Sequence, residues 1–394
     1  MKSFSFIKYL GFWGFVAILL WSCEATPSST PSNEAMEVSD STMLVYIGTA
    51  SGEDSVGIYC LGFDPQSGAL TIRHNTPGLR NPGYLALSPD NLQLYAVHGV
   101  PGQPEGGVSA FSIDPASGEL ERINQVSTQG RGACYVSVQP SGNYVMVANY
   151  SSGSVATFGV SEEGELSEAL SVVQHEGSGP NVERQEGPHA HYIEQGIGGY
   201  MFASDLGTDQ VMLYELDQTT GALSRASQGF LQLEPGQGPR HVDFHPNGKY
   251  VYVMNELMGS VSVFSYDETN DSFNRVQTLS SLPEDFEGFN KSADIHIHPS
   301  GKFLYASNRG DLNSIAIFSV DAENGTLALV SIQSEGIAWP RNFAIDPAGN
   351  FLLVANRDED AIRSFRIDLE TGMLTDTGYK AEVPKPICIK FTGL

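Results

Sequence analysis

From residue 43 onward the chain repeats one strand-rich unit about every 50 residues, and this period limits the fold more than any other feature. The clearest copy is an alternating strand ending in a small or polar residue: Met43–Gly48, Leu92–Val97, Tyr144–Asn149, Tyr200–Asp205, Tyr250–Asn255, Phe303–Asn308 and Phe351–Asn356. After it come a short loop, a second strand (SVSVFSY from Ser260, SIAIFSV from Ser314) and a tight turn such as DPASGEL at 114–120 or DAENGTL at 321–327. Asp and Gly suit such turns because Asp bonds to the nearby backbone and Gly accepts positive φ. A further strand precedes each copy: 84–90, 135–142, 241–248, 294–301 and 342–349, with His189–Glu194 expected to play this part in the fourth unit. Four strands at a period near 50 with almost no helical signal are the pattern of a propeller blade. The first unit lacks its opening strand, and a spare one, Pro386–Phe391, stands at the C-terminus. The fold class expected is therefore all-β: a single seven-bladed β-propeller, residues 43–394, closed by the C-terminal strand completing blade 1 so that no sheet edge stays open.

The N-terminus reads differently. Lys2 and Lys8 precede the apolar run Leu10–Leu20, and Ser22-Cys23 follows, which is the layout of a secretory signal. Leu20-Trp21-Ser22-Cys23 resembles a bacterial lipobox, so Cys23 is the expected lipidation site and residues 1–22 the signal. The apolar run is too short to span a bilayer, which needs about 20 residues. Residues 23–42, rich in Ser, Thr, Pro and Glu, read as a flexible tether. The expected location is the cell envelope, with the membrane touched only through the lipid.

The charge is −25, from 21 basic and 46 acidic residues, which argues against nucleic acid or an anionic bilayer as partner because both select a basic face. Cys60, Cys134 and Cys388 are odd in number and lack motif spacing, so buried free thiols are expected rather than a disulfide framework or zinc site.

Consecutive strands are antiparallel, so the end of each second strand and the start of each innermost strand lie on one face. The residues after the seven clear copies are Thr49, His98, Tyr150, Leu206, Glu256, Arg309 and Arg357. The start of the innermost strand supplies His189, Arg240 and Arg341, beside His191, His241 and Asp294. A structural role would pair Arg309 and Arg357 with Glu256 or Asp358 to staple adjacent blades. Against that reading alone stands their clustering in blades 4–7, since a purely architectural device would recur in every blade.

Gly187-Pro188-His189-Ala190-His191, Gly238-Pro239-Arg240-His241, Asn255-Glu256, Ser307-Asn308-Arg309-Gly310 and Pro340-Arg341-Asn342-Phe343 resemble the seven-bladed propeller lactonases. That family includes propeller-type 6-phosphogluconolactonases and carboxymuconate-lactonising enzymes. The resemblance covers roughly residues 43–394 and implies hydrolysis of a small anionic or sugar-derived lactone. The polar residues proposed for the family map onto the His of the GPHAH segment, Arg240, Glu256 and Arg309.

Opening a lactone needs an activated water and a stabilised oxyanion. His191, His189 or Glu256 is the candidate base, with no choice among them from sequence. Arg240 and Arg309 would stabilise developing charge and clamp an anion, assisted by Arg341 and His241. His189-x-His191 and His296-x-His298 put paired imidazoles on strands, but no Cys or carboxylate lies at ligand spacing, so neither metal nor cofactor is expected. A nucleophile elbow and phosphate-binding glycine loops are missing. The alternatives are muconate-type cycloisomerisation and a non-enzymatic binding propeller, since fold does not fix function. A monomer is expected. Export to the envelope conflicts with the cytoplasmic sugar metabolism implied by a 6-phosphogluconolactonase, so the substrate stays open.

Overall fold

The computed structural model describes residues 42–50 and 57–393. The expected signal, lipobox Cys23 and most of the tether lie outside the described residues.

Seven four-stranded antiparallel sheets follow one another along the chain. Blade 1 runs, from axis to rim, through Pro386–Phe391, Met43–Thr49, Ile58–Phe63 and Leu70–Thr76. Blades 2 to 7 occupy residues 80–127, 133–174, 194–232, 239–280, 290–333 and 340–382. Val45 pairs with Phe391 and Ile47 with Ile389, so the last strand of the chain completes the first sheet.

Position within the ring explains each strand's composition. The second strands are buried on both faces between neighbouring blades; Tyr250–Asn255 and Phe351–Asn356 have no exposed residue. They therefore read as nearly continuous apolar runs. Outer strands cover the sheet edge with one face only, and Leu166–Gln174 alternates between half-buried and exposed accordingly.

The turn between the two outer strands also joins blades. In 321–327 the Asp321 carboxylate accepts the Glu323 N–H at 2.9 Å, and the Gly325 N–H bonds to the Asp321 carbonyl at 2.8 Å. Gly325 has φ +72°, and a Cβ there would sit 2.3 Å from the Tyr250 ring of blade 5, so glycine is demanded twice over. Tyr252 then donates its hydroxyl to the Gly325 carbonyl at 3.2 Å. Tyr46 to Gly118 and Tyr305 to Gly372 repeat the bond between blades 1 and 2 and blades 6 and 7. His298 serves the same end: its ring bonds Ser300 and the Gly349 carbonyl of blade 7. The second HxH pair is thus split, with His298 acting between blades.

Blade 4 departs from the expected pattern. His189–Glu194 is not a regular strand; only Glu194–Gln195 pairs continuously, with an isolated bridge from Ala190 to Asp205. The Asp205 carboxylate accepts the N–H groups of His189, Gly207 and Thr208 and pairs with His175 Nδ1, while the ladder keeps only the bonds of the Leu206 N–H to the His189 carbonyl and of the His191 N–H to the Ser204 carbonyl around Ala190.

Candidate active site

A bulge at the mouth of the innermost strands aims the site. In blade 5 Pro239 pairs with Asn255 and His241 with Met254, which leaves Arg240 as the extra residue. Blade 3 does the same with Cys134, and blade 7 with Arg341. His191 stands at the equivalent place in blade 4, between the Ala190 bridge and the Glu194 pair. An extra residue breaks the strict alternation of side chains between the two sheet faces and re-aims one of them.

Cys134, His191 and Arg341 border a cavity of about 420 Å³ lined by Gly132, Cys134, Tyr150, Ser151, Arg184, His191, Glu256, Lys291, Arg309, Trp339, Arg341 and Arg357. The ends of second strands supply Tyr150, Glu256, Arg309 and Arg357, the positions singled out in the sequence. Blades 3 to 7 all contribute.

Glu256 organises the cations. Its Oε1 accepts Arg184 Nη2 at 2.7 Å, and its Oε2 accepts Arg309 Nη2 at 3.1 Å and lies 3.2 Å from Arg240 Nε. Burial on its own would raise this carboxyl, but Arg309, Arg240 and Arg184 outweigh it and hold the pKa near 2. Arg309 is fixed further by bonds from Nε to the Lys291 carbonyl and from Nη2 to the Ser292 carbonyl. The stapling alternative is therefore realised for Arg309, and Arg357 bonds Asp358 at 2.7 Å while lying 4.3 Å from the Trp339 ring centre. Two cavity cations are left over. Arg341 and Lys291 make no side-chain hydrogen bond or ion pair with any described residue, and burial lowers Arg341 only to about 10, so it stays charged at neutral pH.

His191 presents a neutral imidazole to the cavity: burial, followed by the charges of Arg240, His241 and Arg341, pushes its pKa well below the ordinary range. Its Nδ1 is sealed and unpartnered. His189, the other half of the pair, lies off the lining; its ring stacks on Tyr150 with centres 4.6 Å apart, and its nitrogens face the Tyr150 carbonyl and Glu186. Arg240 and His241 also lie behind the lining. Arg240 Nη1 donates to the Ala293 carbonyl, and His241 Nδ1 pairs with Asp294 Oδ1 at 2.6 Å. Cys134 reaches the cavity, but burial raises its thiol to about 12, far from a thiolate at neutral pH.

Sequence reasoning missed Arg184, Lys291 and Trp339. Arg184 arrives on the long loop between blades 3 and 4, pinned by Gln185, whose amide bonds the Leu206 carbonyl and Asp209, each at 2.8 Å. A Cβ on Gly207 would stand 1.8 Å from the Gly187 carbonyl, so that loop closes over a glycine. Lys291 occupies the start of an innermost strand, a place already marked as mouth-facing; extending that list to blade 6 would have found it.

A model of the seven-bladed β-propeller lactonases matches residues 44–391. The chain belongs to this family. It is 40% identical over 347 residues to the 6-phosphogluconolactonase of Bacillus subtilis, covering 88% of this chain and 97% of that one. It is 37% identical over 321 residues to the 6-phosphogluconolactonase of Formosa agariphila, covering 81% and 90%. Among solved structures, the periplasmic gluconolactonase of Pseudomonas aeruginosa superposes with a TM-score of 0.82 at 34% identity, covering 90% of this chain and 99% of that one. Each is matched over nearly its whole length.

Proposed function

We propose that this protein hydrolyses a sugar-acid lactone, with the cavity at the mouth as its active site. The observation carrying this reading is a neutral imidazole, His191, in one cavity with two cations, Arg341 and Lys291, that make no ion pair with any described residue. His191 takes a proton from the attacking water as that oxygen joins the lactone carbonyl carbon. Arg309, fixed by Glu256, and Arg341 face the oxygen on which negative charge then develops. Collapse of the tetrahedral intermediate breaks the ring C–O bond, and His191 returns its proton to the departing ring oxygen. The product is a hydroxy acid, which ionises beside Lys291 and Arg341. Glu256, whose two oxygens are taken by Arg184, Arg309 and Arg240, serves to order the arginines.

Two considerations bear on the substrate. The cationic lining suits a lactone carrying phosphate or carboxylate, as in the two relatives named 6-phosphogluconolactonase. The signal-like residues 1–22 and Cys23 support a lipid-anchored protein of the envelope, and the Pseudomonas relative is named a periplasmic gluconolactonase, which favours an unphosphorylated sugar lactone. A panel of glucono-δ-lactone, its 6-phosphate and a muconolactone, followed by acid release, tests both. Hydrolysis of either sugar lactone supports the reading, and their kcat/KM ratio ranks the substrates. Turnover of muconolactone alone, or of none, would sink it.

A further inference from the structure

Below the bulge, the next residue of each innermost strand points at the propeller axis, and in blades 3 to 6 these are Tyr135, Tyr192, His241 and Asp294. They touch in sequence. Tyr192 and His241 rings lie 6.1 Å apart, and His241 Nδ1 bonds Asp294 Oδ1 at 2.6 Å. Directly above, the ring of His191 meets that of His241 edge-on, with centres 5.3 Å apart and planes at 63°. Two nitrogens in this sealed space have no partner: His191 Nδ1 and His241 Nε2. Buried polar atoms are rarely left unsatisfied, and one direct hydrogen bond between these two would satisfy both.

We propose that the Asp294–His241 pair is a positioning device for the proposed base, fixing His191 in the tautomer with its proton on Nδ1 and its lone pair on Nε2 toward the cavity. The proposal rests on the reading of His191 as base. Its polarity follows from Asp294. That carboxylate also accepts Asn342 Nδ2 and His296 Nε2, so it is an anion and demands the proton on His241 Nδ1. His241 Nε2 is then an acceptor, and a direct bond to it requires the proton on Nδ1 of His191. When His191 Nε2 takes the water proton, its Nδ1 proton can shift to His241 Nε2, and the new positive charge is shared with a ring lying against Asp294. Return of the proton to the leaving ring oxygen reverses each transfer, so the balance closes without another reactant.

The groups facing the two imidazoles are consistent with this. Arg240 and Arg341 stand beside His191; Arg240, Asp294 and His296 stand beside His241, along with the hydroxylated rings of Tyr84, Tyr135 and Tyr192. The cations disfavour a proton on either ring, and Asp294 is the anion that opposes them.

The test uses two variants of the full protein. His241→Asn keeps a donor to Asp294 and deletes the Nε2 acceptor; His241→Gln restores an acceptor near that position. His241→Asn should lower kcat on the best lactone about a hundredfold with KM changed less than about threefold, and His241→Gln should recover about tenfold of the loss. Nitrogen-15 spectra of histidine-labelled protein, with His191 assigned through a His191→Gln variant, should show the proton on Nδ1 in the wild type and a mixture of tautomers in His241→Asn. Wild-type kcat in His241→Asn, or a wild-type His191 protonated on Nε2, overturns the proposal. If no lactone is turned over, the reading of the function fails while the tautomer measurement still decides this one.

Discussion

Replacing Glu256 by Gln removes one negative charge and little volume, and its cost can be worked out in advance. The carboxyl sits near 2 in the folded protein against an ordinary 4.5. At about 1.4 kcal/mol per pK unit, that difference is worth about 3 kcal/mol of stability at neutral pH. Removing one partner from a buried charge cluster costs about 3–5 kcal/mol by a separate route, because Arg184, Arg240 and Arg309 are left facing a neutral amide. Unfolding entropy of about 2.1 cal/mol/K per residue over roughly 350 residues converts 3 kcal/mol into a Tm lower by about 4 °C. The pH dependence gives the sharper check. A depressed carboxyl stabilises fully above its unfolded pKa, and the contribution drains as pH falls through the folded value. The gap between wild type and Glu256→Gln should thus shrink to about 1 kcal/mol by pH 3. Calorimetric melts at pH 7 and pH 3 read both quantities. Equal Tm values at pH 7, or a gap that widens in acid, would refute the organiser role.

Three further outcomes follow. Arg341→Ala and Lys291→Ala should each raise KM for an anionic lactone about tenfold, with kcat nearly kept for Lys291→Ala, and both should weaken the dependence of KM on salt. His296 opposes burial with Asp294 and Asp243, which raise its pKa to about 10, so its stabilisation is full below about 6.5 and is lost as pH rises through 10. His296→Asn should flatten the alkaline fall of Tm that the wild type shows between pH 7 and 10. Deleting residues 386–394 removes the strand paired with Met43–Thr49, opens blade 1 and should yield aggregated protein by light scattering.

How much could be read in advance followed from how local the signal was. Second strands were legible because burial on both faces writes an apolar run, and turns because Asp321 and Gly325 have short-range jobs that recur with each blade. The mouth positions Glu256, Arg309 and Arg341 were legible because antiparallel order alone puts them on one face. The fourth innermost strand was not, since Asp205 holds its start through bonds that no alternation pattern records. Arg184 was hidden for the same reason: its partner lies 72 residues away in another blade, and a loop of ordinary polar composition carries it there. The two histidines of GPHAH looked equivalent. The bulge separates them, giving His191 to the cavity and His189 to the back of Tyr150.

A ring of near-identical blades offers its ligand seven equivalent positions, so selectivity has to come from breaking the symmetry. One level at which the break occurs is the bulged residue, where the series runs Cys134, His191, Arg240, Ala293 and Arg341 from blade 3 to blade 7. The hydrogen bonds that build the blades spare this residue, because it is the one the ladder skips. Its side chain is therefore free to vary at little cost to the fold, while the residue below it, on the axis, remains tied to its neighbours. Charge obeys the same division. The chain carries −25 overall, yet the cavity gathers Arg184, Lys291, Arg309, Arg341 and Arg357 around a single buried carboxylate. Salt screens the distant acidic surface within about 8–10 Å, so a small anion at the mouth meets the local cations and not the net charge. An acidic surface excludes polyanions that must touch it broadly, whereas the cations that line the cavity act only on what lies within it.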